Sequence, residues 1–364
     1  MKRILTLALA SALALPALAH AEKGSPLWLR HQQISPDGSQ IAFCYKGDIY
    51  TVPTAGGQAL RLTSNAAYDG TPIWSPDSRS LAFSSDREGS KDVYIVKADG
   101  SGLRRLTYSS EKEVPVAFLD GSTLLFQSYV MPDVKDGMYP WDWFVQTYSL
   151  DLSKTIARPK LYGAYPMLMP SLRGGEILYT DVKGYEDIWR KHAISPVTRD
   201  IWLRSKDGKH TKLTTFGGED RNAVWDSKGG FYYLSEREGS FNVYHRDAAT
   251  AAAADKKITS FTKDPVRFLS IASNGTLCYG FDGEIYTQTP GGQPTKVNVS
   301  IVRDQEESAI NPETIRDGVS SFAVAPSNKE IAFIVHGDVF VTHTEYGTSG
   351  TSFTISTSIC PNLL

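Results

Sequence analysis

One repeated spelling governs what this chain can fold into. The stretch ISPDGSQIAF at residues 34–43 returns forty residues later as WSPDSRSLAF at residues 74–83. Each copy runs on into an acidic residue, a β-branched residue and an aromatic, in GDIYTV and KDVYIV, and closes through a Gly-containing turn onto Leu-Thr, in TAGGQALRLT and KADGSGLRRLT. The chemistry of the spelling is that of a hairpin. Pro fixes φ at the second turn position, Asp bonds back to the local backbone, and Gly accepts the conformation that ends the turn. Asp37 and Asp77 are therefore expected to cap turns and not to act as general acids. The apolar runs IAF and LAF then bury alternate side chains on two faces of a strand.

Looser copies follow: LDGSTLLFQS with QTYSLD, SLRGGEILYT with RDIWLRSKDGKHTKLT, WDSKGGFYYLS with FNVYHRD, and SNGTLCYGFDGEIYTQTP. The strand aromatics Phe43, Phe83, Phe126, Tyr179, Tyr233 and Tyr279 stand 40, 43, 53, 54 and 46 residues apart. Several strands per unit at this period predict a β-propeller, whose blades have two apolar faces each and need neighbours to bury them. The expected fold is all-β: a six-bladed propeller of four-stranded antiparallel blades over residues 22–299. A linker over 300–319 and the first blade of a truncated second propeller over 320–346, SFAVAPSNKEIAFIVHGDVFVTHTEYG, follow it. A single seven-bladed ring is the alternative. The Ser/Thr-rich residues 347–364 break the pattern and are expected to be an aberrant tail left by truncation or a frame change.

Composition narrows the partners. A formal charge of −2 with 21% charged residues gives no electrostatic footprint for nucleic acid. Residues 1–21 run from Lys2 and Arg3 through an apolar stretch to Ala-His-Ala, the order of a cleavable signal peptide. Export to the periplasm is expected, with no membrane span left after cleavage. Cys44 and Cys278 occupy matching places in two repeats, and repeats normally hold such places too far apart for a disulfide.

No nucleophile elbow, phosphate loop, zinc or dinucleotide motif stands where its chemistry requires, so no cofactor, metal or catalytic residue is expected. Two insertions carry the candidate binding residues. One gathers Tyr139, Trp141 and Trp143, an aromatic density suited to gripping a peptide side chain. The other gathers Arg190, Lys191, His192 and Arg199, cations able to line a channel or capture a peptide carboxylate. Against these stand plainer readings, a loop packed over its blade and a surface charge cluster. SDREGS and SEREGS read as matching solvated hairpins.

The units SPDGSQIAF, SPDSRSLAFSSDREGSKDVYIV, RKHAISPVTRDIW, HTKLTTFGGEDRNAVW and YYLSEREGSFNVY resemble the amino-terminal propeller of the tricorn-type serine proteases, in their exported bacterial branch. The resemblance spans about residues 24–346. It implies a second propeller, a PDZ domain and a peptidase domain beyond this sequence, which would hold the catalytic serine, histidine and acid. This chain would then guide or filter peptides and unfolded segments for its missing carboxyl-terminal domains, and be inactive alone. A free-standing interaction propeller of the Tol-system type is the alternative. Oligomeric state stays open, a homo-oligomer included.

Overall fold

Local chemistry builds the turns as their spelling dictates. Asp37 Oδ1 accepts hydrogen bonds from the Ser35 hydroxyl at 2.6 Å, the Ser39 amide at 2.9 Å and the Ser39 hydroxyl at 2.8 Å. Asp77 repeats the arrangement with the Ser75 hydroxyl at 2.6 Å and the Arg79 amide at 3.1 Å. These bonds favour the ionised form and hold both carboxyls below the usual carboxylate range. The computed structural model describes residues 26–129, 145–163, 165–184, 194–302, 318–335 and 338–345.

Among the described residues, six four-stranded antiparallel sheets follow one another along the chain. Blade 1 contains β1 (Arg30–Ile34), β2 (Gln40–Tyr45), β3 (Asp48–Pro53) and, after the short β4 (Gly57–Gln58), β5 (Leu60–Arg61). Blade 2 contains β6 (Asp69–Trp74), β7 (Ser80–Ser85), β8 (Asp92–Lys97) and β9 (Arg104–Arg105). Blade 3 contains β10 (Glu113–Phe118), β11 (Thr123–Ser128), β12 (Gln146–Asp151) and β13 (Lys160–Gly163). Blade 4 contains β14 (Leu168–Arg173), β15 (Glu176–Thr180), β16 (Ile201–Arg204) and β17 (His210–Lys212). Blade 5 contains β18 (Asp220–Trp225), β19 (Phe231–Ser235), β20 (Asn242–Arg246) and β21 (Lys256–Lys257). Blade 6 contains β22 (Arg267–Ile271), β23 (Leu277–Phe281), β24 (Glu284–Gln288) and β25 (Thr295–Lys296). Each first strand packs on its neighbours' first strands, and β22 of blade 6 packs on β1 of blade 1, so the contacts run in a ring.

The I-A-F spelling follows from that ring. Ile41 and Phe43 bury against Ala272 and Cys278 of blade 6, while Ala42 faces Leu81 and Phe83 of blade 2. One blade on, Ala82 faces Leu124 and Phe126 of blade 3. Large side chains thus point back to the preceding blade, and alanine leaves room for the next blade's large pair. Burial of each such aromatic contributes about 1.5–3 kcal/mol. Cys44 and Cys278 belong to different interfaces, blades 1–2 and blades 6–1, and both are buried free thiols.

The Leu-Thr marker, spelled Ile-Thr in blade 5, closes blades 1, 2, 4 and 5 by a hydrogen bond. Thr63, Thr107, Thr214 and Thr259 hydroxyls accept the amides of Ile49, Val93, Ile201 and Val243 at 2.8–3.0 Å. These amides open the third strands, and a strand amide without a partner in the interior would cost about 1–3 kcal/mol.

The ring closes with no four-stranded blade mixing strands from its two ends. A short parallel pair joins β4 to β26 (Val299–Ser300), and the Ser273 amide donates to the Pro36 carbonyl at 2.8 Å. The pairing includes Ser300, one residue beyond the boundary expected at 299, and pairing resumes at Val319. The chain divides into two compact units after Val302. In the second unit β27 (Val319–Val324), β28 (Glu330–Val335) and β29 (Asp338–His343) form a three-stranded antiparallel sheet. Its turn follows the pattern of the ring's turns, with the Asn328 amide donating to the Ala325 carbonyl at 2.8 Å.

Candidate functional site

Antiparallel order puts the beginnings of the six first strands on the same face as the hairpins between second and third strands. The S-P-D-G turns occupy the opposite face. There the Asp37 amide donates to the Ser78 hydroxyl at 3.1 Å, so neighbouring turns are tied to each other. Pro36, Pro76, Ser78 and Asn274 line an open hollow of about 480 Å³ at that end.

The hairpin face carries the denser chemistry. All six first strands shift register near their beginnings, and His31, Thr71, Met169, Asn222 and Phe268 take left-handed φ between 49° and 56° at those shifts. A residue of this kind pays steric strain to bend its strand, a device found where side chains must be re-aimed. Immediately before three of the bends stand Arg30, Arg221 and Arg267, on the adjacent blades 1, 5 and 6.

Arg221 belongs to a buried ion network. Glu219 Oε1 lies 3.2 Å from both Arg199 Nη1 and Arg221 Nη1, and the Glu219 amide donates to Glu236 Oε1 at 3.0 Å. The Arg221 guanidinium also sits 4.1 Å from the centre of the Phe241 ring. Burial draws the Arg221 pKa down to about 10; Glu219 opposes it, and Arg267 and Arg199 reinforce it. The group stays charged at neutral pH. Four charged side chains taken out of water rest on mutual pairing, which fixes their positions more than it stabilises the fold.

Beside this network, a cavity of about 300 Å³ opens at the seam of blades 6 and 1. Trp28, Arg30, Pro265, Arg267, Phe268 and Phe281 form much of its wall, and Asp264 and Asp282 complete its charge. Trp28 is 71% exposed. His31 packs against Phe268 with the rings tilted at 48° and centroids 4.7 Å apart. Burial, with Arg30 and Lys91 nearby, lowers its pKa to about 4, so it is neutral at pH 7. The mouth therefore offers an apolar wall with fixed guanidinium and carboxylate groups around it, the mixed chemistry of a site for an amphipathic segment.

Of the candidate residues drawn from the sequence, Arg199 is in this network and buried. Arg190, Lys191, His192, Tyr139, Trp141 and Trp143 lie outside the described residues. Trp28, Arg30, Glu219, Arg221 and Arg267 escaped sequence reasoning. The signal that finds the three arginines is positional: the residue just before the bend of each first strand, compared blade by blade, with Trp28 and Glu219 standing two residues before Arg30 and Arg221. Among the described residues no group of three or more His, Cys, Asp or Glu could hold a metal ion, and no helix is long and apolar enough to cross a membrane.

Comparison with known proteins agrees with this architecture. Tricorn protease homolog 1 of Streptomyces coelicolor is 24% identical over 288 residues, covering 77% of this chain and 25% of that protein. The crystal structure of the tricorn protease superposes with a TM-score of 0.64 at 19% identity, over 87% of this chain and 30% of that one. TolB from Acinetobacter baumannii shares the fold at a TM-score of 0.51 and 15% identity, over 72% of this chain and 60% of that one. The chain thus spans about a quarter to a third of the length of the tricorn proteins it matches. Residues 26–293 match the tricorn protease N-terminal beta propeller domain, and the chain belongs to that family.

Proposed function

We propose that this ring receives extended peptide segments and orients them for a tricorn-like serine peptidase, with hydrolysis assigned to domains outside this chain. The observation that carries the reading is the mouth on the hairpin face, where the Trp28–Phe268–Phe281 wall meets Arg30 and Arg267. An extended peptide presents an apolar side chain, a backbone and charged groups at short spacing, and this wall has a partner for each. The same reading places the protein in the periplasm, on the strength of the leader at residues 1–21.

The test is a fluorescence-anisotropy titration of the full chain with a labelled unstructured peptide. Binding that weakens about tenfold in Trp28→Ala and in Arg267→Glu supports the reading. Undiminished binding in both variants overturns the assignment of the mouth, and tight capture of a folded protein partner with no peptide binding favours an interaction propeller instead. The purified chain is expected to show no peptide turnover. Cell fractionation tests the location, and retention in the cytoplasm would contradict it.

A further inference from the structure

Blades 2 and 5 each bury an arginine in the same way. In blade 2, Asp69 pairs across the sheet with Ser85, and Phe83 with Tyr94. Arg87, two residues past that serine, donates from Nε to Ser85 Oγ at 2.9 Å and from Nη2 to both Asp69 oxygens at 3.0 Å. Its guanidinium lies 4.6 Å from the Tyr94 ring centre. In blade 5, Asp220 pairs with Ser235, and Tyr233 with Tyr244. Arg237 donates to Ser235 Oγ at 2.9 Å and to Asp220 at 3.3 and 3.4 Å, and lies 4.8 Å from the Tyr244 ring. Carboxylate, hydroxyl and ring pair together make a socket shaped for a planar cation.

Blade 3 repeats every wall of that socket. Glu113 pairs with Ser128, and Phe126 with Tyr148, at the same register positions, and the two rings stack at 5.6 Å. Glu113 and Ser128 are fully buried, as Asp69, Ser85, Asp220 and Ser235 are. Yet neither Glu113 oxygen nor Ser128 Oγ, the atoms a guanidinium would satisfy, has a partner at hydrogen-bond geometry; the Thr107 hydroxyl, the Ser109 amide and the Asp92 carboxyl approach Glu113 without closing such a bond. No described residue two or so positions past Ser128 supplies an arginine, since the chain there reads Tyr-Val-Met. Buried polar atoms are rarely left unpaired in a native fold, and three together at one register position call for a ligand.

We infer that the third blade holds a receptor for a guanidinium group, built from Glu113, Ser128 and the Phe126–Tyr148 ring pair, which takes an arginine side chain of a bound peptide. The occupied sockets show how deep such a site lies. Arg87 and Arg237 remain 15% and 20% exposed while filling them, so the socket is one side chain below the hairpin face. Glutamate in place of aspartate reaches one methylene farther toward an incoming group. The charged groups facing Glu113 are Asp92 and, beyond it, Arg105, which pairs with Asp92 at 2.8 Å. Without a cation, burial pushes the Glu113 carboxyl up to about 7. Capture of the guanidinium then releases the carboxyl proton to solvent and leaves a carboxylate–guanidinium pair. The inference deepens the peptide-guiding reading by naming a preferred side chain, and its failure is separable from that reading.

The experiment is calorimetric titration of the full chain with acetyl-Gly-Arg-Gly-amide, and with its Lys and Gln counterparts. The Arg peptide is expected to bind at least tenfold tighter than the Gln peptide and to release a fraction of a proton at pH 6.5 that vanishes by pH 9. Glu113→Gln, a neutral isostere, is expected to remove both the preference and the proton release. Ser128→Ala is a second, milder variant, expected to weaken the Arg peptide several-fold. Equal binding of the Arg and Gln peptides, binding unchanged in Glu113→Gln, or no binding of the Arg peptide would each overturn the socket. Retained binding of the longer labelled peptide in those cases would leave the mouth and its function standing.

Discussion

The ring and the three-stranded unit share a spelling but not a fate. Leu81, Ala82 and Phe83 of β7 are completely buried, whereas Ile331, Ala332 and Phe333 of β28 are only half-buried, and Phe322 of β27 is 71% exposed. The same turn chemistry closes both, with the Ser78 amide donating to the Ser75 carbonyl in the ring and the Asn328 amide to the Ala325 carbonyl in the smaller unit. Local spelling therefore makes hairpins in either place, and burial comes only from a neighbouring blade. A propeller strand is a demand for a partner, and the ring meets it six times over.

That contrast can be broken by substitution. Phe83→Ala should cost about 3–5 kcal/mol in chemical denaturation, because it opens a cavity between blades 1 and 2 that neither can collapse to fill. Phe322→Ala should cost well under 1 kcal/mol in the same measurement. Equal effects would mean that burial does not separate the two regions.

The next largest effect concerns Glu113 and depends on pH. Its pKa is raised from 4.5 to about 7, so the folded state binds the proton more tightly than the unfolded state. Stability is then greatest below about pH 4.5, falls as pH rises toward 7, and levels off above it, a loss of about 3 kcal/mol in all. Glu113→Gln should flatten that slope and raise stability at pH 8. Denaturation midpoints from pH 4 to 9 check it, and an unchanged slope would remove Glu113 as its source. The Asp69–Arg87 and Asp220–Arg237 sockets sharpen the comparison, since removal of either arginine should leave a buried carboxylate behind and cost about 3–5 kcal/mol near neutral pH.

Smaller effects test the closures. Thr107→Val removes the acceptor of the Val93 amide and should cost about 1–2 kcal/mol. Gly56→Ala strikes the latch of the ring: its φ is +89°, and a Cβ there would sit 2.7 Å from the Asn298 carbonyl oxygen. A loss of about 1–2 kcal/mol is expected. Faster amide exchange confined to β4 and β26 would locate the damage, and exchange spread evenly through the ring would argue against a local latch.

How much was legible in the sequence follows from which signals are local. The S-P-D-G turns, the alternating I-A-F strands and the closing Leu-Thr lie within one unit, so their chemistry could be read directly and the propeller inferred from their period. The mouth is assembled from the first strands of blades 6 and 1 and the segments beside them, and Arg30 and Arg267 stand more than two hundred residues apart, so no local pattern joins them. The matched hairpins SDREGS and SEREGS were visible, but their buried role was not. Arg87 and Arg237 look solvated until the register brings Asp69 and Asp220 beneath them, 18 and 17 residues earlier. The socket of blade 3 is harder still, since it is defined by the arginine that its hairpin does not repeat.

On the proposed function, an extended peptide is expected at the mouth between blades 6 and 1, on the hairpin face and not among the S-P-D-G turns. Photo-crosslinking of the full chain with an unstructured peptide carrying a benzophenone side chain, mapped by mass spectrometry, tests this directly. Adducts concentrated on Trp28 and the segment from Pro265 to Phe268 are predicted. Adducts confined to the face of Pro36 and Pro76, or scattered over the surface, would contradict it.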